Sequence, residues 1–302
     1  MDKLVAMRTF IQVVDAGTFT RAANMMNLPK STITRMVQAL EKEIGAKLLH
    51  RTTRQLSVTE EGAVYYEGAV RVLDQIGQLD QSVTGAGAAP RGRIKVEAAG
   101  AVAYNILIPA LPDFFERYPQ VQVELGVGNR SIDLIAENVD CVIRLGALIN
   151  ESLIARPLGV LPMISCASTA YLARHGMPAG PSDLDEAHTL IQIVAPRTGR
   201  GFTDDVVRDG ITVTLKGGHY LAVNDSTAAL MAAVAGLGIV TTYAFLARQH
   251  IDAGALHILF PDWESETVEA HVAYPVNRHL PFKVRVFIDW AIKLFQELDG
   301  IR

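Results

Sequence analysis

The chain has 302 residues, two cysteines and a net charge of -4, a length that suits two or three units built around sizeable cores. The cysteines, Cys141 and Cys166, lie in separate apolar runs and exclude a disulfide framework; no run of about 18 apolar residues and no signal-peptide pattern occurs, so a cytoplasmic protein without membrane contact is expected. The charge is uneven: residues 1 to 60 hold nine Lys and Arg against five Asp and Glu, and the remainder 19 against 27, which predicts a polyanion partner for the first segment alone.

Residues 2 to 15 carry Leu4, Met7, Phe10, Ile11 and Val14 at helical spacing and stop at Gly17. Thr18 can cap a second, shorter helix, FTRAANMMN, and Asn27-Leu28-Pro29 breaks it. In the third helix, LPKSTITRMVQALEKEIG, one face is Ile33, Met36, Val37, Leu40 and Ile44. Lys30, Ser31, Thr34, Arg35, Gln38, Glu41 and Lys42 take the other. Two helices across a tight turn make a helix-turn-helix candidate. KLLHRTTRQLSVTEEG then reads as a short hairpin, or wing, with Arg51 and Arg54 projecting from it.

Thr59-Glu60-Glu61 opens a long helix to about Val83, with a stripe through Tyr66, Ala69, Val70, Leu73, Ile76, Leu79 and Val83 that predicts pairing with a second copy. GAGAAPRG, residues 85 to 92, breaks the chain. From Arg93 strands and helices alternate, with a helix from about 103 to 118, another near 131 to 137 and a last one at 283 to 298. Such alternation predicts a mostly parallel sheet covered by helices.

The third helix raises a chemical question. Cations near a helix N-terminus oppose the macrodipole by a few tenths of a kcal/mol each, so Lys30 and Arg35 are locally disfavoured unless an external anion meets them. A DNA phosphate is such an anion, and Lys30, Ser31, Thr34 and Arg35 supply the donors that groove contacts require.

On these residues the chain resembles LysR-type transcriptional regulators. Residues 4 to 62 match that family's pattern in FxxVxxxGxFxxAA, in the recognition helix T/S-R-x-I/V-x-x-L-E-x-x-x-G and in L-x-R-x-x-R-x-x-x-x-T-x-x-G. The resemblance implies a winged helix-turn-helix, residues 1–59, on double-stranded promoter or operator DNA. Pro29, Lys30, Ser31, Thr34 and Arg35 would face the DNA, and Arg51 and Arg54 would grip phosphate. It further implies a dimerisation helix and hinge, 60–90, homodimers or homotetramers, and RNA polymerase as a further partner at the promoter. Family members often have Ser where this chain has Pro29.

More loosely, FFERYPQVQVELGVG, DCVIRLG and VNDSTAALMAAVAGLGIV resemble the family's effector domain, an α/β pair of subdomains of periplasmic-binding-protein type. The resemblance implies an effector-binding domain over 91–302, with subdomain one at 91–162 plus about 267–302 and subdomain two at about 163–266. A small-molecule effector would bind between them, near Ala99, Gly100, Ala101, Gly128, Asn129, Gly146, Gln192, Asn224, Ser226, Thr227, Thr241 and Thr242. Independently, Asn224-Asp225-Ser226-Thr227 reads as a helix N-cap with free amides, an anion-binding arrangement. Relatives that take carboxylate effectors tend to have Ser or Thr where this chain has Ala98, Ala99, Gly100 and Ala101, which predicts a weakly anionic or apolar effector, held by backbone amides, or an empty cleft.

Other chemistry finds no support. Gly236 and Gly238 lack the third glycine and acidic partner of a dinucleotide fingerprint, GRGFTDD reads as a turn, and neither G-x-S-x-G nor H-E-x-x-H occurs. No cofactor, metal or enzymatic activity is expected. The competing readings are a solute-binding module, which residues 91 to 302 alone would permit, and a redox sensor using Cys141 and Cys166.

Overall fold

In the computed structural model, which describes residues 2–51, 56–84, 89–130, 132–146, 153–196, 198–276 and 280–298, the first helical period becomes α1 (Lys3–Ala16). Its ends follow from single residues: the Asp2 carboxylate accepts from the amides of Leu4 and Val5, and Gly17 ends it at φ 68°. Thr18 caps α2 (Phe19–Met26), and α3 (Lys30–Ile44) follows after Asn27 at φ 50°. Ala6, Phe10 and Val13 of α1, Ala22 of α2, and Ile33, Val37 and Leu40 of α3 are all fully buried in one core. The small side chains Ala22 and Ala23 allow α2 close to its neighbours.

β1 (Leu49–Arg51) and β2 (Leu56–Val58) form an antiparallel wing, and α4 (Glu60–Thr84) completes the unit Met1–Ala88. The first half of the α4 stripe packs on its own chain: Tyr65, Tyr66, Ala69 and Leu73 join the core, with Phe10 edge-on to both tyrosines.

The unit Ala89–Arg302 begins with β3 (Gly92–Ala98) and one continuous helical stretch: α5 (Gly100–Val102), a π turn (Ala103–Leu107) and α6 (Ile108–Arg117). β4 (Val121–Val127), β5 (Cys141–Leu145) and the 16-residue β6 (Leu153–Ser168) follow. Where the sequence predicts a helix near 131 to 137, the described residues 132–137 form only a turn. The Asp133 carboxylate accepts from the amides of Ile135 and Ala136, and Asn138 at φ 54° ends the segment after a single turn.

Beyond β6 come α7 (Thr169–His175), a 3-10 turn (Pro181–Asp183), α8 (Leu184–Ala187), β7 (Thr189–Ile193), β8 (Asp205–Arg208), β9 (Ile211–Thr214), β10 (Gly218–Val223) and α9 (Ser226–Val234). The chain ends through β11 (Val240–Tyr243), α10 (Ala244–Asp252), β12 (Leu256–Leu259), β13 (Glu264–Ser265), β14 (Thr267–Pro275) and α11 (Phe282–Gln296).

β6 changes partners along its length, and this organises the unit. From Leu153 to Pro162 it pairs with β14; from Met163 onward it pairs with β11 and β12. The first half of the unit therefore has the order β6-β14-β5-β3-β4, and β11, β12, β7 and β10 belong to the second. The sheets are mixed rather than mostly parallel: β3–β4, β3–β5 and β7–β10 are parallel, whereas β14 is antiparallel to both β5 and β6. The reason is topological. The chain leaves the first half on β6 and returns on β14, and two adjacent strands carrying it out and back must run in opposite directions.

Each half has its own apolar centre. Ile94, Val96, Phe114, Ile143, Phe287 and Phe295 anchor the first, and Cys166, Ala229, Leu230, Ala233, Val240 and Leu256 anchor the second. The glycine pair in AGLGIV is structural: Gly236 turns the chain at φ 80°, and a Cβ on Gly238 would lie 2.6 Å from the Thr189 carbonyl oxygen.

Candidate functional site

Two regions collect the residues singled out from the sequence. The first is the outer face of α3. Pro29 precedes the helix with no side-chain cap, its carbonyl accepting from Thr32 and Ile33. Lys30, Ser31 and Arg35 are exposed and Thr34 half-buried, all on the first two turns. Among the described residues neither Lys30 nor Arg35 has an ion-pair partner, while Glu43 on the far end of the helix is held by Lys3 at 3.0 Å. The face is thus uncapped, cationic and rich in donors, mounted on a fully buried ridge of Ile33, Val37 and Leu40.

Glu41 corrects the sequence reading, which put it on the solvated side. It is 3% exposed, and its carboxylate accepts from the amides of Leu48, 3.0 Å, and Leu49, 3.3 Å, and from Lys47 Nζ, 3.2 Å. It therefore fastens the end of α3 to the start of the wing. Arg51 ends β1, but its side chain, like all of Arg54, lies outside the described residues.

The second region lies between the halves of the second unit. Asn129, on the loop after β4, donates to the Asn224 carbonyl at 3.0 Å and to Asp225 Oδ2 at 3.3 Å. The loop is itself held by Arg144, which donates to the carbonyls of Gly128 and Arg130, each at 3.0 Å. Opposite, Gly100 comes so close to Asp225 that a Cβ on it would lie 2.6 Å from Oδ2. Ala101 is buried in the core cluster that also contains Ala229 and Leu230 of α9. Gly100, Asn129, Asn224 and Asp225 are thus brought together; Ala99 and Ala101 flank Gly100, and Gly128 precedes Asn129.

Residues 224 to 227 form the helix N-cap read from the sequence: Asp225 Oδ1 takes the Ala228 amide at 2.9 Å, so the helix caps itself with its own carboxylate.

The remaining residues named from the sequence are less closely grouped. Ser226 bonds to Tyr243, whose hydroxyl burial pushes up to about 12. Among the described residues the buried hydroxyl oxygens of Thr227 and Thr242 have no hydrogen-bond partner. Gln192 donates to the carbonyls of Ile193 and Phe202. Gly146 turns the chain after β5 at φ 84°, with its amide on the Glu269 carbonyl.

Thr241 belongs to a polar set that no sequence pattern announces, since its members are far apart in the chain. It bonds to Ser165 at 3.0 Å and to Asp204, beside Asp205 and Glu266. Burial is the main cause that pushes the Asp204 carboxyl up to about 6, partly offset by the Thr241 bond and reinforced by the two neighbouring acids. The folded carboxyl therefore holds its proton more tightly than the unfolded one. Its contribution to stability is full below the unfolded value of 3.8 and is lost as pH rises through about 6. Raising pH from about 5 to about 7 should lower the urea midpoint of this unit, and Asp204→Asn should flatten that dependence. An unchanged pH slope in the variant would refute the assignment.

The thiols do not suit redox chemistry. Both are buried, Cys166 is pushed up to about 12 and Cys141 higher still, both chiefly by loss of solvent, so neither forms a thiolate readily. No group of three or more metal-ligating side chains occurs among the described residues, and none of their helices is long and apolar enough to cross a membrane.

Comparison with known proteins adds the family context. Residues 4–63 match the profile described as bacterial regulatory helix-turn-helix protein, lysR family, and residues 87–296 match the LysR substrate binding domain. The chain is 37% identical to an HTH-type transcriptional repressor of Pseudomonas aeruginosa (strain UCBPP-PA14), over 100% of this chain and 95% of that one. It is 33% identical to the HTH-type transcriptional activator AaeR of Escherichia coli (strain K12), over 99% and 98%. Among solved structures it is similar to CrgA, a LysR-type transcriptional regulator from Neisseria meningitidis, with TM-score 0.63, 30% identity and coverage of 96% and 98%.

Proposed function

The chain belongs to the lysR family of DNA-binding transcriptional regulators with an effector-binding domain, and from that premise we propose which of its residues carry each role. α3 enters the major groove, with Pro29, Lys30, Ser31, Thr34 and Arg35 toward the DNA and Arg51 and Arg54 of the wing on phosphate. The observation that carries this reading is the uncapped cationic start of α3, whose Lys30 and Arg35 have no ion-pair partner among the described residues, on a fully buried ridge. A face built only for solvation has no need of cations at the positive end of its helix dipole.

The effector lies between the halves of the second unit, 91–162 plus 267–302 and 163–266, among the cleft residues from Ala99 to Thr242 named above. The switch of β6 from β14 to β11 after Pro162 supports this division, because a strand that passes from one half to the other can bend between them without breaking either core. Ligand binding then changes the angle between the halves and so the spacing of the DNA-binding units within an oligomer, altering promoter bend and occupancy. α4, residues 60–84, pairs two copies, and further contacts build a tetramer. The protein works in the cytoplasm beside RNA polymerase and is not an enzyme.

Arg35→Ala should weaken operator binding by roughly 1 to 3 kcal/mol while leaving binding to random DNA close to wild type. Lys30→Ala should weaken both and flatten the salt dependence. Titration of operator and scrambled duplexes at several salt concentrations checks this. Equal losses on both duplexes for Arg35→Ala would sink the assignment of base reading to α3. A screen of small molecules of either charge for a changed DNA footprint tests the cleft.

A further inference from the structure

The strands that carry the chain between the halves of the second unit change role within one residue of each other. Pro162 of β6 is the last residue paired with β14, through Thr267, and Met163 is the first paired with β11, through Tyr243. Glu266, which joins β13 to β14, sits at that point, its carbonyl accepting from the Met163 amide at 3.2 Å. β13 itself is held to β8 by two residue pairs, Glu264 with Val207 and Ser265 with Val206. A displacement of β13 from β8 is therefore delivered to the place where β6 passes from one half to the other.

Asp204 and Asp205 lead into β8 at this junction. The Asp204 carboxyl bonds to Thr241 of β11, whose hydroxyl also meets Ser165 of β6 at 3.0 Å, and the carboxyls of Asp205 and Glu266 stand close enough to repel its charge. Asp205 Oδ1 is buried and has no hydrogen-bond partner among the described residues. The surrounding strands supply no cation to offset these acids. β9, β11 and the part of β6 beyond Pro162 hold no charged residue; their titratable groups, Cys166 and Tyr243, are kept neutral by burial. β13 adds another acid, Glu264; Lys216, beyond β9, is exposed, and Arg208 of β8 has its guanidinium over the Trp263 ring, 4.7 Å from the centroid.

We propose that Asp204 is a proton sensor for the joint between the halves: protonated, it lets Glu266 lie against β8; ionised, it repels Glu266, loosens β13 and shifts the angle at which β6 crosses. The physical basis is repulsion between like charges poorly screened by solvent, acting on the short β8–β13 contact, which has least to resist it. Burial is the main cause that holds the Asp204 carboxyl at about 6, with Thr241 pulling it down and Glu266 and Asp205 pushing it up, so the transition lies near that pH. The inference rests on the proposed link between the angle of the halves and operator binding, and it names the proton as a signal beside the effector.

The test follows the full chain between about pH 5 and about pH 8 at constant ionic strength. Two quantities are read: the ratio of operator to scrambled-duplex affinity, which cancels titration at the DNA contacts common to both, and tryptophan fluorescence, since Trp263 lies beside β8. In the wild type both should step with a midpoint near 6. Asp204→Asn should lose both steps and stay at the low-pH values. Thr241→Val removes the bond that favours the charged carboxyl and should move the midpoint up; Glu266→Gln, at an exposed residue, removes a repelling charge and should move it down. A wild type without a fluorescence step, a step that survives in Asp204→Asn, or a midpoint that neither other variant moves would overturn the inference. Failure of the underlying reading looks different: the fluorescence step would persist and vanish in Asp204→Asn, while the affinity ratio stayed flat with pH.

Discussion

Gly62→Ala should destabilise the DNA-binding unit by about 3 kcal/mol, against the usual gain of up to about 1 kcal/mol for replacing glycine inside a helix. Gly62 sits in the first turn of α4, where a Cβ would stand 2.0 Å from the Leu48 carbonyl oxygen and 2.9 Å from Val58 Cγ1. The obstacle is backbone on one side, so no rotamer change relieves it. Leu48 cannot retreat either: it is 1% exposed, and its carbonyl already accepts from Thr59. Gly68, in the same helix, provides the matched control, since among the described residues a Cβ there would find only Arg71 Nη2 at 3.8 Å. Gly68→Ala should raise the melting temperature and Gly62→Ala lower it. A shift of the same sign in both would show that propensity, not the contact with Leu48, governs this helix.

The second large effect meets the same residue from the other side. Glu41→Ala should cost about 2 to 4 kcal/mol and loosen the wing, because it leaves the buried amides of Leu48 and Leu49 without the carboxylate that accepts from them. Glu41→Gln keeps an acceptor oxygen and should lose a smaller share. Glu43, two residues on and paired with Lys3 at the surface, should lose close to nothing on truncation. Urea unfolding of the three variants gives the ranking, and binding to random DNA reports the wing. Equal destabilisation by Glu41→Ala and Glu43→Ala would contradict the anchoring role. Leu48 thus joins two helices: α3 holds its amide through Glu41, and α4 closes on its carbonyl through Gly62, whose own amide is capped by Thr59 Oγ1 at 2.8 Å.

This arrangement shows why some site residues can be read from sequence and others cannot. Ile33, Val37 and Leu40 announce the helix by their spacing, and Lys30 and Arg35 stand out because the dipole disfavours them. Glu41 falls on the polar side by periodicity alone. Its burial depends on β1 crossing the end of α3, a contact made by residues seven and eight positions further on. Asp225 reads as a cap in either case. Only the approach of Gly100 and Asn129, 125 and 96 positions away, makes its second oxygen a feature of the cleft.

By itself the sequence determined whatever depends on neighbours along the chain: the helices of the DNA-binding unit, the cap at Thr18, the glycine stops and the cationic start of α3. It could not decide strand direction in the second unit, because whether β14 runs with or against β6 follows from where the chain must cross and return. Nor could it decide which acids lie exposed and which are buried: Glu41, Asp204 and Asp225 are each defined by groups that folding brings from elsewhere. Local patterns set helix and turn through short-range hydrogen bonds and dihedral preferences, whereas burial and charge environment are properties of the assembled tertiary structure.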